Sequence, residues 1–176
     1  MTSSVGAPDL LRTERDTGGW HVTAIECRRG LARVENRPGL TEVVVADWPG
    51  DSDVGGESYS AAACTPEGDA LVMSRQAPPA LLVTRHGQRP APVQPGGSEL
   101  LHLVPGQRLL LLSATAYDAL PECLAAMLHG PSSAILDADP FTLLHTLFRE
   151  IGAGSGAVIG RHAPQSDRPL RALPSV

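Results

Sequence analysis

Apolar and polar residues alternate in short runs between residues 20 and 112, which is the pattern of half-buried β-strands. Residues 40–48 form a β-branched run typical of a buried strand. The turn residues Pro66 and Gly68 separate two further runs and predict a hairpin. The segment LARVEN, residues 31–36, predicts a short edge strand or a turn. The predicted strands therefore cover residues 20–28, 40–48, 58–65, 70–75 and 79–84, and the two segments around Pro105-Gly106.

The pattern changes to a helical one in the last third of the chain. Residues 118–130 predict a helix, because they carry apolar positions at helical spacing and Gly130 follows its end. In residues 139–152, Asp139 can cap the helix, Pro140 fits its first position and Gly152 ends it. Residues 155–163 then predict a closing strand. The expected fold class is α/β (α+β), an antiparallel β-sandwich with helices packed mainly on one face.

The chain length of 176 residues fits one domain. We expect a flexible N-terminal arm over residues 1–17, a single domain over residues 18–163 and a Pro-rich tail over residues 164–176. The first residues lack the apolar core of a secretory signal, and no apolar run is long enough to span a bilayer. We therefore expect a cytoplasmic protein that does not bind membranes.

Charge and cysteine content narrow the function further. The net charge of −5 and the absence of a basic stripe argue against nucleic-acid binding. Cys27, Cys64 and Cys123 lack a CxxC spacing and are expected to be buried thiols in a reducing compartment. The six histidines show neither HxxxH nor HExxH spacing, so each is interpreted as a surface or half-buried residue. They are His21, His86, His102, His129, His145 and His162.

Four acidic residues crowd a Gly-rich segment after the β-branched run: Asp47, Asp51, Asp53 and Glu57. They could be a remnant or altered cation site, because carboxylate oxygens suit hard divalent ions. Their spacing does not match an EF-hand loop, which needs ligands at fixed alternate positions. A solvated loop is the interpretation we favour.

Three later segments together resemble the PPM-type, metal-dependent serine/threonine phosphatases, in the branch of the stage-two-sporulation phosphatase. GDALVMSRQAPPALLVTRHGQ is similar to the family's sAGHPPPLLVR.DG hairpin, with Arg75-Gln76-Ala77 in place of Ala-Gly-His. LVPGQRLLLLSATA is similar to L.PGDrLLLYTDGl, and the segment ending in GSGAVIGRH is similar to DDAAVLVLR. The three segments keep the family's order and spacing over more than half of the chain.

The resemblance implies a pair of Mn²⁺ or Mg²⁺ ions, held mainly by aspartates and water, that activate a bridging water for attack on phosphorus. In this chain, however, the aspartate of TDG falls at Ala114 and its glycine at Thr115. The final aspartate pair falls at Gly154 and Ser155. An alanine or glycine cannot ligate a metal, and a serine offers only a neutral oxygen.

The front half matches the family in two ways that exclude each other. VVVADWPGD resembles lvvgDvsGhG and would make Asp47 a metal ligand, whereas DVGGESY resembles vGGDwyD and would make Glu57 one. The family order of these elements is reversed here, and we prefer the match at Asp47 because it closes a strand. The gap between Asp47 and Arg75 is too short for the family's two central helices, so one helical layer is expected to be missing or reduced.

The resemblance and its departures lead to a functional hypothesis: a shortened, degenerate PPM-type domain that acts as a non-catalytic pseudophosphatase. It would bind a protein partner in bacterial signalling or associate with itself as a homodimer, through the sheet face that the lost helices leave bare. No catalytic residue and no cofactor are then expected. One alternative is an active Mn²⁺- or Mg²⁺-dependent phosphatase with an atypical metal site at Asp47, Asp51 and Glu57. Another is a structural β-domain unrelated to phosphatases.

Overall fold

Two antiparallel β-sheets stack face to face in the computed structural model, which describes residues 10–48 and 58–163. Sheet 1 has six strands in the order β1-β2-β11-β10-β7-β8, and sheet 2 has five in the order β3-β4-β5-β6-β9. The strands are β1 (Leu11–Thr17), β2 (Trp20–Glu26), β3 (Gly30–Arg37), β4 (Leu40–Asp47), β5 (Tyr59–Cys64), β6 (Asp69–Arg75), β7 (Ala80–Thr84), β8 (Gly87–Ala91), β9 (Ser98–His102), β10 (Arg108–Leu112) and β11 (Ser155–Arg161).

Four helices lie between β10 and β11 in the chain. They are α1 (Ala114–Asp118), α2 (Glu122–Leu128), α3 (Ser133–Leu136) and α4 (Pro140–Ile151). Helix α4 begins and ends as its sequence predicts. The Asp139 carboxylate accepts from Thr142 N–H, Pro140 occupies the first turn and Gly152 adopts a left-handed φ of +72°.

Two hydrophobic clusters hold the layers together. The first lies between the sheets and includes Trp20, Val43 and Leu111, which are fully buried. The second lies between the outer side of sheet 1 and the helices, with Leu144 and Phe148 of α4 at its centre. All sheet residues of this second cluster belong to sheet 1, so the described helices cover one face of the sandwich. The predicted fold class is confirmed.

The outer side of sheet 2 carries a small apolar area. Alternation along β4, β5 and β6 sends Val43, Ala62 and Val72 into the core and their neighbours outward. Leu71 and Leu100, which are paired across β6 and β9, are 38% and 68% exposed. We call this area the outer face of sheet 2; its apolar centre consists of Val44, Ala61, Ala63, Leu71, Met73 and Leu100.

Three sequence-based expectations need correction. The flexible arm expected over residues 1–17 is wrong for Leu11–Thr17, which form β1 at the charged edge of sheet 1. The single helix predicted over residues 118–130 is shorter, because α2 spans only Glu122–Leu128 and residues 114–118 form a separate short helix, α1. Cys123 is exposed, whereas Cys27 and Cys64 are buried as expected, and burial raises the pKa of the Cys64 thiol to about 12.

The expected tail, residues 164–176, lies outside the described residues. None of the helices in the described part of the chain is long and apolar enough to cross a membrane.

Candidate functional site

The residues that the resemblance places in the metal site meet at one end of the sandwich. Asp47 ends β4, Ala114 opens α1 after β10, and Gly154 immediately precedes β11. β10 and β11 pair directly, with Leu112 opposite Gly156, and the helix α1 contacts both β4 and β11. The fold therefore brings together three chain segments that the sequence alone could only align with family motifs.

The Asp47 carboxylate is used as a cap for α1. Its Oδ1 and Oδ2 accept from the Thr115 N–H, with N···O distances of 3.2 and 3.3 Å. The first N–H groups of a helix have no partner within the helix, and an acidic group there is also favoured by the helix dipole. The carboxylate that resembles a metal ligand thus already satisfies a backbone donor.

Two buried serines complete the network around Asp47. The Ser113 Oγ accepts from Ser155 N–H at 3.0 Å and from Ala116 N–H at 3.4 Å. The Ser155 Oγ donates to the Ala46 carbonyl oxygen at 2.9 Å. Both serines are fully buried, so their hydroxyl groups need these partners and contribute to holding β4, α1 and β11 in place.

Gly154 has no space for a side chain. Its φ is +89°, and a Cβ there would lie 2.6 Å from Ser113 Oγ and 2.8 Å from Ala116 Cβ. The Gly154 backbone also exchanges hydrogen bonds with the β2–β3 connection, donating to Arg28 O and accepting from Cys27 N–H. We call this end of the sandwich, where β4, α1 and β11 meet, the corner of Asp47. An aspartate at position 154, as in the family pattern, would require the residues of this corner to rearrange.

The described residues at this corner do not fit a pair of divalent metal ions. They supply one carboxylate, Asp47, which faces a backbone N–H. Hard divalent ions instead require several anionic oxygens converging on one point. Among residues 10–48 and 58–163, no group of three potential metal ligands includes Asp47. The two other candidate ligands, Asp51 and Glu57, and the neighbouring Asp53 lie outside the described residues.

The two stacked sheets and the helices on one of them have the fold of the PPM-type phosphatase domains. The expected resemblance is confirmed at the level of the fold. No family model and no curated protein sequence matches the chain.

Three solved structures illustrate the likeness. RsbX in complex with magnesium has a TM-score of 0.58 at 8% identity, with 86% of this chain and 99% of that chain covered. The phosphatase domain of SpoIIE from Bacillus subtilis has a TM-score of 0.55 at 9% identity, with 97% and 98% covered. The RsbU and RsbW domains of Rv1364c from Mycobacterium tuberculosis give 0.54 at 14% identity, with 89% and 60% covered.

The structure also assembles a group that the sequence did not indicate. Asp16, His21 and His162 place one potential ligand atom each within 4.8 Å of one another at the opposite end of β11 from Asp47. The two histidines are 141 positions apart and share no local motif. Only the pairing of β2 with β11 brings them together, so no sequence signal could have identified the group.

Proposed function

We propose that this chain is a non-catalytic regulatory protein with a phosphatase fold, which binds a protein partner in bacterial signalling within the cytoplasm. The observation that carries the proposal is the Asp47 carboxylate bound to Thr115 N–H beside a Gly154 without side-chain space. Similar folds include the phosphatase domain of the cell fate determinant SpoIIE and a component from the bacterial stressosome, a system that controls secondary messenger signalling. These similar folds support a signalling role.

The chemistry supports the absence of catalysis. Metal-assisted phosphoester hydrolysis needs cations that lower the pKa of a water and stabilise charge on the transferred phosphoryl group. At the corner described above, Ala114 and Gly154 stand where the family pattern has aspartates. The serine hydroxyl groups there are engaged with backbone atoms, so neither can act as an alternative anionic ligand.

A turnover assay tests the proposal. The full chain is incubated with p-nitrophenyl phosphate and with a phosphoserine peptide, with Mn²⁺ or Mg²⁺ present or chelated. We expect hydrolysis no faster than in metal-containing buffer. The variants are Asp47→Ala and, as a matched control, Asp69→Ala, a surface carboxylate that pairs with His102.

Metal-dependent turnover that Asp47→Ala abolishes and Asp69→Ala preserves would contradict the proposal. It would favour instead an active phosphatase whose atypical site includes Asp47, and Asp51 and Glu57 would be the next residues to vary. Turnover that is equal in all three proteins would indicate a contaminating enzyme, because no residue of the proposed corner would then influence it.

The outer face of sheet 2 is the surface that we assign to the partner. No described helix packs on its apolar centre, and Leu100 there is more exposed than most large apolar side chains of the molecule. Exposed apolar residues that are neighbours on a sheet, here Leu71 and Leu100, are characteristic of an interaction site. The face is bordered on β3 and β4 by Arg33, Glu35, Arg37 and Glu42, which pair with one another at N···O distances between 3.4 and 3.6 Å.

A further inference from the structure

The clearest chemistry outside the corner of Asp47 is the group formed by Asp16, His21 and His162. Asp16 Oδ1 lies 2.7 Å from His21 Nδ1 and 2.7 Å from His162 Nε2. Three atoms of the types that bind transition metals therefore converge on one point. Across residues 10–48 and 58–163, this is the one such group of three or more.

The backbone that carries the three side chains is fixed by strand pairing. The β1–β2 hairpin turns through Gly18 and Gly19, both with positive φ, which sets Asp16 opposite His21. On the other side of β2, Gly160 of β11 is opposite His21. The His162 N–H then donates to Gly19 O at 2.8 Å, so the residue after β11 is held against the hairpin.

Neighbouring residues orient the imidazole of His21. The second ring nitrogen of His21 lies 3.2 Å from the hydroxyl of the buried Thr23, which fixes the orientation of the imidazole. Glu14 Oε1, 3.7 Å from the same nitrogen, adds negative charge. The nearby guanidinium groups are engaged elsewhere: Arg161 donates to Leu103 O, and Arg108 donates to the carbonyl groups of Ile135 and Ala138.

We propose that Asp16, His21 and His162 form a binding site for a divalent transition metal of the Zn²⁺ type, with a fourth position open to water. Two imidazole nitrogens and one carboxylate are a recurrent donor set for Zn²⁺. Ligand atoms around a tetrahedral zinc lie about 3.3 Å apart, so the present 2.7 Å contacts must widen by roughly half an ångström. The exposed side chains of Asp16 and His162 allow this movement.

Space for a water ligand is present beside the two histidines. A cavity of about 280 Å³ is lined by His21 and His162 together with Gly106, Gln107 and Gly160. The bound ion would connect the β1–β2 hairpin to the end of β11, fastening residues that are 146 positions apart. The site stands roughly 20 Å along β11 from Ser155, so it is separate from the corner of Asp47 and independent of the proposed function.

The test is a titration of the full chain with Zn²⁺ by calorimetry, with Mg²⁺ as a hard-ion control. We expect one Zn²⁺ per chain, no comparable heat with Mg²⁺, and a melting temperature that rises with Zn²⁺ concentration. Co²⁺ bound in the same place should show the visible absorption of a complex with nitrogen and oxygen ligands.

Asp16→Asn and His162→Gln should each weaken Zn²⁺ binding at least about tenfold. His102→Gln is the matched control, because His102 also pairs with a carboxylate, that of Asp69 at 2.8 Å, but without a second imidazole. It should leave binding unchanged. The two ligand variants change exposed side chains, and either one alone suffices should the other not fold.

Absence of one-to-one Zn²⁺ binding by the unmodified chain would overturn the proposal. So would binding that Asp16→Asn and His162→Gln retain, or binding that His102→Gln reduces to the same extent, since the zinc would then occupy ordinary surface histidines.

Discussion

At the scale of single residues, Gly154 determines whether an acidic side chain can stand beside Asp47. We predict that Gly154→Ala destabilises the chain by several kcal/mol, because a positive φ costs roughly 1–2 kcal/mol and the clash with Ser113 and Ala116 adds to it. Gly106→Ala is the matched control. Gly106 has the same φ of +89° but no atom within 4 Å of a Cβ, so it reports the backbone strain alone.

Urea unfolding of the two variants and the unmodified chain measures both costs. Equal losses for Gly154→Ala and Gly106→Ala would show that the corner adapts to a side chain. In that event Gly154→Asp should be tested for metal binding, because an added carboxylate could then join Asp47.

The sequence predicted the position of Asp47 but could not predict its role. The sequence placed it correctly at the end of a strand, because the β-branched run before it has an unambiguous pattern. Its hydrogen-bond partner, Thr115, is 68 positions away and carries no local signal. An alignment of this segment with the family motif could therefore suggest that Asp47 is a metal ligand. Only the packing of α1 against β4 shows that Asp47 caps a helix instead.

At the scale of elements, the Asp139 cap makes the stability of α4 dependent on pH. The Thr142 backbone N–H, and then its hydroxyl, hold the pKa of Asp139 below its ordinary value, aided by Arg12 and Arg108. A carboxyl with a lowered pKa in the folded state stabilises above its unfolded pKa and loses that contribution as pH falls through its folded pKa. Between pH 7 and 5 the cap should be fully effective.

We predict that Asp139→Ala lowers the melting temperature at pH 7 and that the difference from the unmodified chain shrinks below about pH 4. Thermal unfolding followed by circular dichroism over this range measures both effects. Asp118→Ala, a substitution of a carboxylate that caps no helix N-terminus, is the comparison. A difference that stays constant down to the lowest pH would show that the charge of Asp139 does not stabilise the cap.

The elements differ in how well the sequence predicted them, because some carry their determining residues within their own segment and others depend on residues far away in the chain. α4 has a cap, a proline, an apolar face and a terminating glycine within 14 residues, so its bounds were predictable. β1 is a charged edge strand whose alternation is weak, and α1 has only five residues and no acidic first turn. Such elements are fixed by their neighbours, which a single-sequence pattern cannot show.

At the scale of the whole molecule, the outer face of sheet 2 predicts self-association. A second copy is a suitable first partner, because the bordering charges on β3 and β4 include both signs and give no net repulsion between copies. We expect a mass above that of the monomer by light scattering. Leu100→Asp should reduce this mass to the monomer value by placing a charge in the apolar contact.

Val93→Asp serves as the control, because Val93 is similarly exposed, at 65% against 68% for Leu100, but lies outside sheet 2. It should leave the mass unchanged. A monomer mass for the unmodified chain at all concentrations would contradict self-association, and an equal effect of both variants would place the contact elsewhere.

The central position of β11 has a consequence for how the protein is made. β2 and β10 both pair with β11, so neither has its full set of backbone partners until Ser155–Arg161 has left the ribosome. During synthesis, the edges of β2 and β10 that later pair with β11 remain unpaired. Unpaired strand edges can form incorrect pairs with other nascent chains. Chaperone dependence should therefore be greatest late in translation, and a chain that stalls before residue 155 is the species most prone to aggregate.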